Sequence, residues 1–239
     1  MVSVGRTDAA GQRGPTLRME RDLLSLGAPC VIGMDEVGRG ALAGPVCVGA
    51  VAVTAATPDP PPGIADSKAL RPAQREAMVL ALGAWDASWA LGWASAAEVD
   101  QGGIIGALRR AGLRALAALA SANATVVLDG RHDWLSTPST LEDAMDDDVT
   151  PLDALAVTRV VMKVAADASC ASVAAASLHA KVARDRAMSR LAAQYPAYGW
   201  ENNKGYGSVG HREAIVEHGV TDQHRRTWHL LKAEGDSGR

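Results

Sequence analysis

Between Val31 and Val53 the chain reads VIGMDEVGRGALAGPVCVGAVAV, and this stretch restricts the fold more than any other. Ala28 to Val37 (APCVIGMDEV) reads as a strand that ends in a glycine turn. Val46 to Val53 (VCVGAVAV) is an apolar, β-branched run, the pattern of a buried strand. The two are close enough in sequence to be antiparallel neighbours. An Asp-Glu pair, Asp35 and Glu36, stands where the first strand meets its turn.

The remaining segments supply partners for this pair. Thr16 to Leu26 and Arg71 to Leu82 have helical spacing, the second with Pro72 near its start. Ser88 to Ala94 (SWALGWA) alternates and predicts a strand, and SAAEVD behind it looks like a helix cap. Trp85, Trp89 and Trp93, four apart, are read as core. Ile104 to Ala120 predicts a helix, and Thr125 to Leu128 a short buried strand ending at Asp129-Gly130. Residues 131–153 form a long loop, of the kind that is functional or disordered. An apolar segment follows from Leu155 to Ala165, then an alanine-rich helix from Ser172 to Leu191 and a helical tail. The expected fold is α/β: a mixed five-stranded sheet flanked by helices, with a C-terminal helical extension. Residues 1–15 are expected to be disordered, 16–232 to form the domain and 233–239 a flexible tail.

Charge is uneven, although the formal net is only −3. Residues 129–153 hold eight acids and one Arg, whereas 179–232 hold nine Lys/Arg and five acids, so the C-terminal third offers a surface for phosphates. Three cysteines without a CxxC pair argue against a disulfide frame or a zinc site and for a reducing compartment. No apolar run suits a secretory signal or a membrane span. A cytoplasmic monomer, with no membrane contact, is expected.

Asp35, Glu36, Asp129 and Asp167 all stand where apolar segments end, at the rim of a sheet, where α/β proteins place their sites. Carboxylates gathered there repel one another unless a cation lies between them, and hard oxygen ligands select Mg²⁺ or Mn²⁺. Two other patterns carry little. Gly205 to Gly210 satisfies GxGxxG but follows the polar run ENNK instead of a strand. The acids Glu142, Asp143 and Asp146 to Asp148 lack the alternating ligands and central glycine of a calcium loop.

The ordered motifs resemble those of the ribonuclease HII family. Gly33-Met34-Asp35-Glu36-Val37-Gly38-Arg39-Gly40 with Gly44-Pro45-Val46 matches its G-x-D-E-x-G-R-G and G-P-V. Asp66-Ser67-Lys68, Asp129-Gly130, Asp167 with ASVAAASLHAKVARD (171–185), Tyr198-Gly199 with Asn203 to Gly207, and His224-Arg225-Arg226 follow in family order. The similarity runs from Val31 to Lys232. Two departures stand out: Ala41 where the family often has Pro, and Ala165 where it usually has Lys, the nearest lysine being Lys163. The sister ribonuclease HIII family has an added N-terminal domain and another residue at the place of Arg39; only about 30 residues precede Val31 here.

The resemblance implies a ribonuclease H-like fold and an endonuclease that cuts the RNA strand of RNA–DNA hybrids, and duplex DNA on the 5′ side of a single ribonucleotide. Asp35, Glu36, Asp129 and Asp167 would hold two divalent ions, one activating water and the other stabilising the leaving 3′-oxygen. Adjacent strand residues face opposite ways, so either the glycine turn bends the chain at Asp35-Glu36 or one of the two uses its carbonyl. Gly38, Arg39 and Gly40 would read the ribose 2′-hydroxyl, and Tyr206 would stack on the neighbouring sugar. Lys68, Lys181, Lys204, Arg225 and Arg226 are candidate phosphate contacts. A non-catalytic duplex-binding relative would be expected to have lost at least one of the four acids.

Overall fold

Both strands of the Val31–Val53 stretch form, and they lie at the centre of the sheet. The computed structural model describes residues 14–119, 123–136, 150–152 and 154–231; the acidic run at 142–148, most of the expected disordered N-terminus and the tail at 233–239 lie outside them. The elements are α1 (Arg18–Ser25), β1 (Cys30–Val37), β2 (Val46–Val53), α2 (Pro72–Leu82), β3 (Ser88–Ala94), α3 (Ala96–Leu119), β4 (Ala124–Asp129), β5 (Val157–Lys163), α4 (Ala171–Gln194), α5 (Trp200–Asn203) and α6 (Val209–His218). The sheet order is β3-β2-β1-β4-β5. β1 is antiparallel to β2 and parallel to β4, so the sheet is mixed.

Helices cover both faces of this sheet. Ile32, Met34, Val48, Ala50, Val126 and Leu128 pack with Ala107, Leu108 and Ala111 of α3. Val31, Val51, Val53 and Val127 pack with Val173, Ala174, Ala175 and Leu178 of α4. Burial of this kind contributes about 25 cal/mol per Å² of apolar surface. The alanines of α4 serve close approach. A Cβ on Gly33 would lie 2.3 Å from Ser172 Oγ, and one on Gly49 would lie 2.2 Å from the Ala176 carbonyl oxygen. Small residues on both sides press the helix backbone onto the sheet, and Gly49 is the register partner of Asp35.

Two sequence expectations shift. The third helix begins at Ala96 instead of Ile104, because Ser95 and Glu98 form a capping box: the Glu98 amide donates to Ser95 Oγ at 3.2 Å and the Ser95 amide to Glu98 Oε2 at 2.7 Å. Gly103, at φ +69°, interrupts it about two turns later. The tryptophans are not all core. Trp85 is buried and donates its indole N–H to the Pro58 carbonyl, but Trp89 is 47% exposed and stacks on His179. It stands on β3, one of the two edge strands of the sheet.

Candidate active site

The acids expected at strand ends come from three neighbouring pieces of chain. β1 pairs in parallel with β4 up to Met34 opposite Leu128, which places Asp35 and Asp129 next to each other at the same end of the sheet. Asp167 lies in the turn between β5 and α4, and the Ala166 amide beside it donates to Asp129 Oδ1 at 2.7 Å. β1 stays paired with β2 through Val37, so the chain does not bend at the Asp-Glu pair. Strand alternation therefore holds. Asp35 turns to Ser177 of α4, whose hydroxyl bonds it, and Glu36 turns to Arg39, with Oε1 3.2 Å from the guanidinium.

These carboxyls feel one another. Burial first, then Glu36, Asp129 and Asp167, push Asp35 up to about 7. Burial also raises Glu36, against the pull of Arg39, and raises Asp167, against Lys68. Lys68 Nζ sits 3.1 Å from Asp167 Oδ2. Glu36 Oε2 is buried with no hydrogen-bond partner. An all-oxygen, mutually repelling donor set with an orphaned buried oxygen suits a hard divalent cation. Among the described residues, however, no three such side chains are gathered into a finished cage. Here Lys68, Arg39 and the Ala166 amide balance the acids and hold them in place.

The expected substrate-facing residues divide into exposed and buried ones. Gly40 is exposed with open space above its Cα. Tyr206 is 39% exposed, and Arg226 is exposed with its amide on Asp100. Lys181, bonded to Asp185, and Lys204, bonded to Ser189, line one open groove with Arg75, Arg186 and Arg190. Arg225 is the correction. It is fully buried, and its guanidinium donates to the carbonyls of Gly38, Arg39 and Gly44 instead of facing a phosphate. The reason is local: Gly44 N–H bonds the Gln223 carbonyl and Arg225 N–H the Leu42 carbonyl, stitching residues 223–225 under the glycine turn. Lys163 ends β5 as the partner of Asp129, its carbonyl accepting from Gly130 N–H at 3.0 Å.

Sequence reasoning missed three residues near the acids. Ser67 and Ser177 hydroxyls lie 2.9 Å apart, buried, and link the DSK turn to Asp35. Both stand inside motifs that had been singled out, so the signal was present. Glu20 is fully buried and accepts from Ser172 N–H at 2.9 Å and Ser172 Oγ at 2.7 Å, capping α4 just behind Asp167. The sequence placed it in a short helix with nothing to single it out.

A model of the ribonuclease HII family matches residues 32–231. The ribonuclease HII of Streptomyces avermitilis is 42% identical over 220 residues, covering 92% of this chain and 85% of its own. That of Paracoccus denitrificans is 40% identical over 215 residues, covering 90% and 91%. Among solved structures, a chain of the PCNA:RNase HII complex from Archaeoglobus fulgidus superposes with a TM-score of 0.62 at 24% identity, covering 85% of this chain and 96% of that one. Bst-RNase HIII in complex with Mn²⁺ gives 0.61 at 18% identity, covering 96% and 76%. Both structural likenesses concern the fold.

Proposed function

The chain belongs to the ribonuclease HII family, and from that premise we propose an endonuclease that hydrolyses the RNA strand of RNA–DNA hybrids and nicks duplex DNA on the 5′ side of a single ribonucleotide, leaving 3′-hydroxyl and 5′-phosphate ends. The observation that carries this reading is the burial and close approach of Asp35, Glu36, Asp129 and Asp167: burial first and then the neighbouring acids push Asp35 to about 7, and a buried Glu36 oxygen has no partner. Asp35, Glu36, Asp129 and Asp167 would hold Mg²⁺ or Mn²⁺, one of the adjacent pair through its main-chain carbonyl because the strand does not bend there. Two such ions supply Lewis acidity and a water that attacks at neutral pH.

This chain's own residues do the rest. Ser177 and the Glu36 amide, both bonded to Asp35, fix that carboxylate toward the sheet end. The Ala166 amide orients Asp129. Lys68 and Arg39, each on a carboxylate here, are free to turn to flanking phosphates once those acids have another counter-charge. Gly38 and Gly40 let backbone approach the sugar, where a hydrogen bond to the 2′-hydroxyl separates RNA from DNA. Tyr206 stacks on the adjoining sugar. Lys181, Lys204 and Arg226 serve as phosphate contacts along the duplex, binding that weakens with salt.

The test is a nicking assay with Mg²⁺ or Mn²⁺ on a duplex holding one ribonucleotide. Cleavage 5′ of that residue is expected, with an all-DNA duplex left intact. No nick there, while a four-ribonucleotide hybrid is cut well, would overturn the single-ribonucleotide reading.

A further inference from the structure

We infer that Arg184 and Arg225 are positioning residues that lock the Gly38–Gly40 turn and Tyr206 into one rigid reader of the ribose. The inference rests on the reading of that turn given above. Both guanidinium groups are fully buried, and among the described residues neither has a carboxylate within ion-pair distance. Their partners are main-chain carbonyls. Arg225 donates to Gly38 O at 2.7 Å, Arg39 O at 2.9 Å and Gly44 O at 3.1 Å. Arg184 donates to Pro45 O at 3.0 Å, Ala43 O at 3.2 Å and Lys204 O at 2.8 Å.

Those carbonyls come from both halves of the reader. Arg184 spans from the turn after β1 to the residue before Gly205, and its guanidinium lies 5.5 Å from the centre of the Tyr206 ring. The Gly205 carbonyl in turn accepts from the amides of Leu42 and Ala43. Gly38, at φ +89°, has room for this only without a side chain, since a Cβ would fall 2.1 Å from Arg184 Nε. A planar fork satisfies several fixed carbonyls at once, which a lysine ammonium at the same place does not. Two buried cations beside each other are costly to a fold. Apolar side chains would fill the space with less penalty, so their presence points to a demand for loop geometry.

The test compares affinity for a duplex holding one ribonucleotide with affinity for the all-DNA duplex, measured by fluorescence anisotropy in Ca²⁺ for wild type, Arg225→Lys and Arg184→Lys. Wild type should prefer the ribonucleotide, and either lysine variant should lose that preference by roughly tenfold while holding the all-DNA duplex about as well. The Mn²⁺-induced rise in melting temperature should stay as in wild type, because the carboxylates are untouched. A merely structural arginine would lower the melting point and leave the preference alone, and that result in a folded variant overturns the inference. If Arg225→Lys does not fold, Arg184→Lys carries the same comparison. A wild type without any preference would overturn the ribose-reading turn itself and, with it, the role given to the arginines.

Discussion

The carboxylates at the end of β1 and the histidines His211 and His224 of the C-terminal part are both buried, polar and titratable, yet their hydrogen bonding differs. In the helical part, Trp200 Nε1 donates to His211 Nε2 at 2.9 Å, which makes that nitrogen an acceptor. Its other nitrogen then donates to the Tyr206 carbonyl at 2.9 Å. His224 Nδ1 accepts from the Thr221 amide at 3.0 Å, so its Nε2–H points at His211 Nε2, 3.2 Å away. Both rings are held neutral, with two donors sharing the one lone pair of His211 Nε2, and a proton on either ring would set donor against donor. Burial first, with its neighbours' charges, accordingly pulls His224 down to about 4. The acids present the reverse case: like charges face one another and Glu36 Oε2 has no partner. A satisfied cluster fixes structure; an unsatisfied one is stabilised by what it binds.

The contrast can be broken most sharply by mutation. Asp129→Asn keeps size and removes a charge that the cations need. Cleavage should fall by roughly two powers of ten or more, with duplex affinity changed by less than about tenfold, roughly 1.4 kcal/mol. Kinetics beside anisotropy check this, and near-normal turnover would remove Asp129 from the site. Trp200→Phe is the counterpart in the helical part. It deletes one of two donors to His211 Nε2 and leaves a gap in a fully buried site, which should cost about 1–3 kcal/mol, a melting point lower by about 2–4 °C per kcal/mol at this chain length. Cleavage per folded molecule should hold.

A smaller effect sharpens the same contrast through pH. Asp35, buried and close to Glu36, Asp129 and Asp167, has a folded pKa raised above its ordinary 3.8, so the folded state binds more protons. Metal-free stability from this group falls as pH climbs from its ordinary value to about 7. His224, lowered from 6.5 to about 4, does the opposite: its contribution is present above 6.5 and is lost as pH drops toward 4. The two partly cancel in wild type. Chemical denaturation with EDTA should show stability rising more steeply with pH over that window in Asp35→Asn than in wild type. An unchanged pH profile in that variant would remove Asp35 as its source.

How far the sequence could be read follows from the same physics. The strands at 46–53 and 88–94 were legible to the residue, because unbroken apolar runs and strict alternation have few other solutions. The four acids could be picked out as candidates because they stand at or just after such runs, Asp167 four residues past the end of β5. The inward turn of Arg225 was not: it shares the HRR motif with the exposed Arg226, and only the contacts between residues 223–225 and the glycine turn decide which of the two is buried. Glu20 and the exposed Trp89 were hidden for the same reason, since each depends on an element distant in sequence: α4 for Glu20, the sheet order for Trp89.

A divalent cation in the proposed site would relieve the repulsion among Asp35, Glu36, Asp129 and Asp167. Thermal melts of wild type and Asp35→Asn, each with EDTA and with Mn²⁺, test it most directly. Binding only to the folded form stabilises by RT ln(1 + [L]/Kd), about 2.7 kcal/mol at a hundredfold excess over Kd. That is a rise of several degrees in wild type, at about 2–4 °C per kcal/mol. Asp35→Asn should melt higher than wild type in EDTA and gain less from Mn²⁺. If it melts lower in EDTA yet gains as much from Mn²⁺, the cation binds elsewhere.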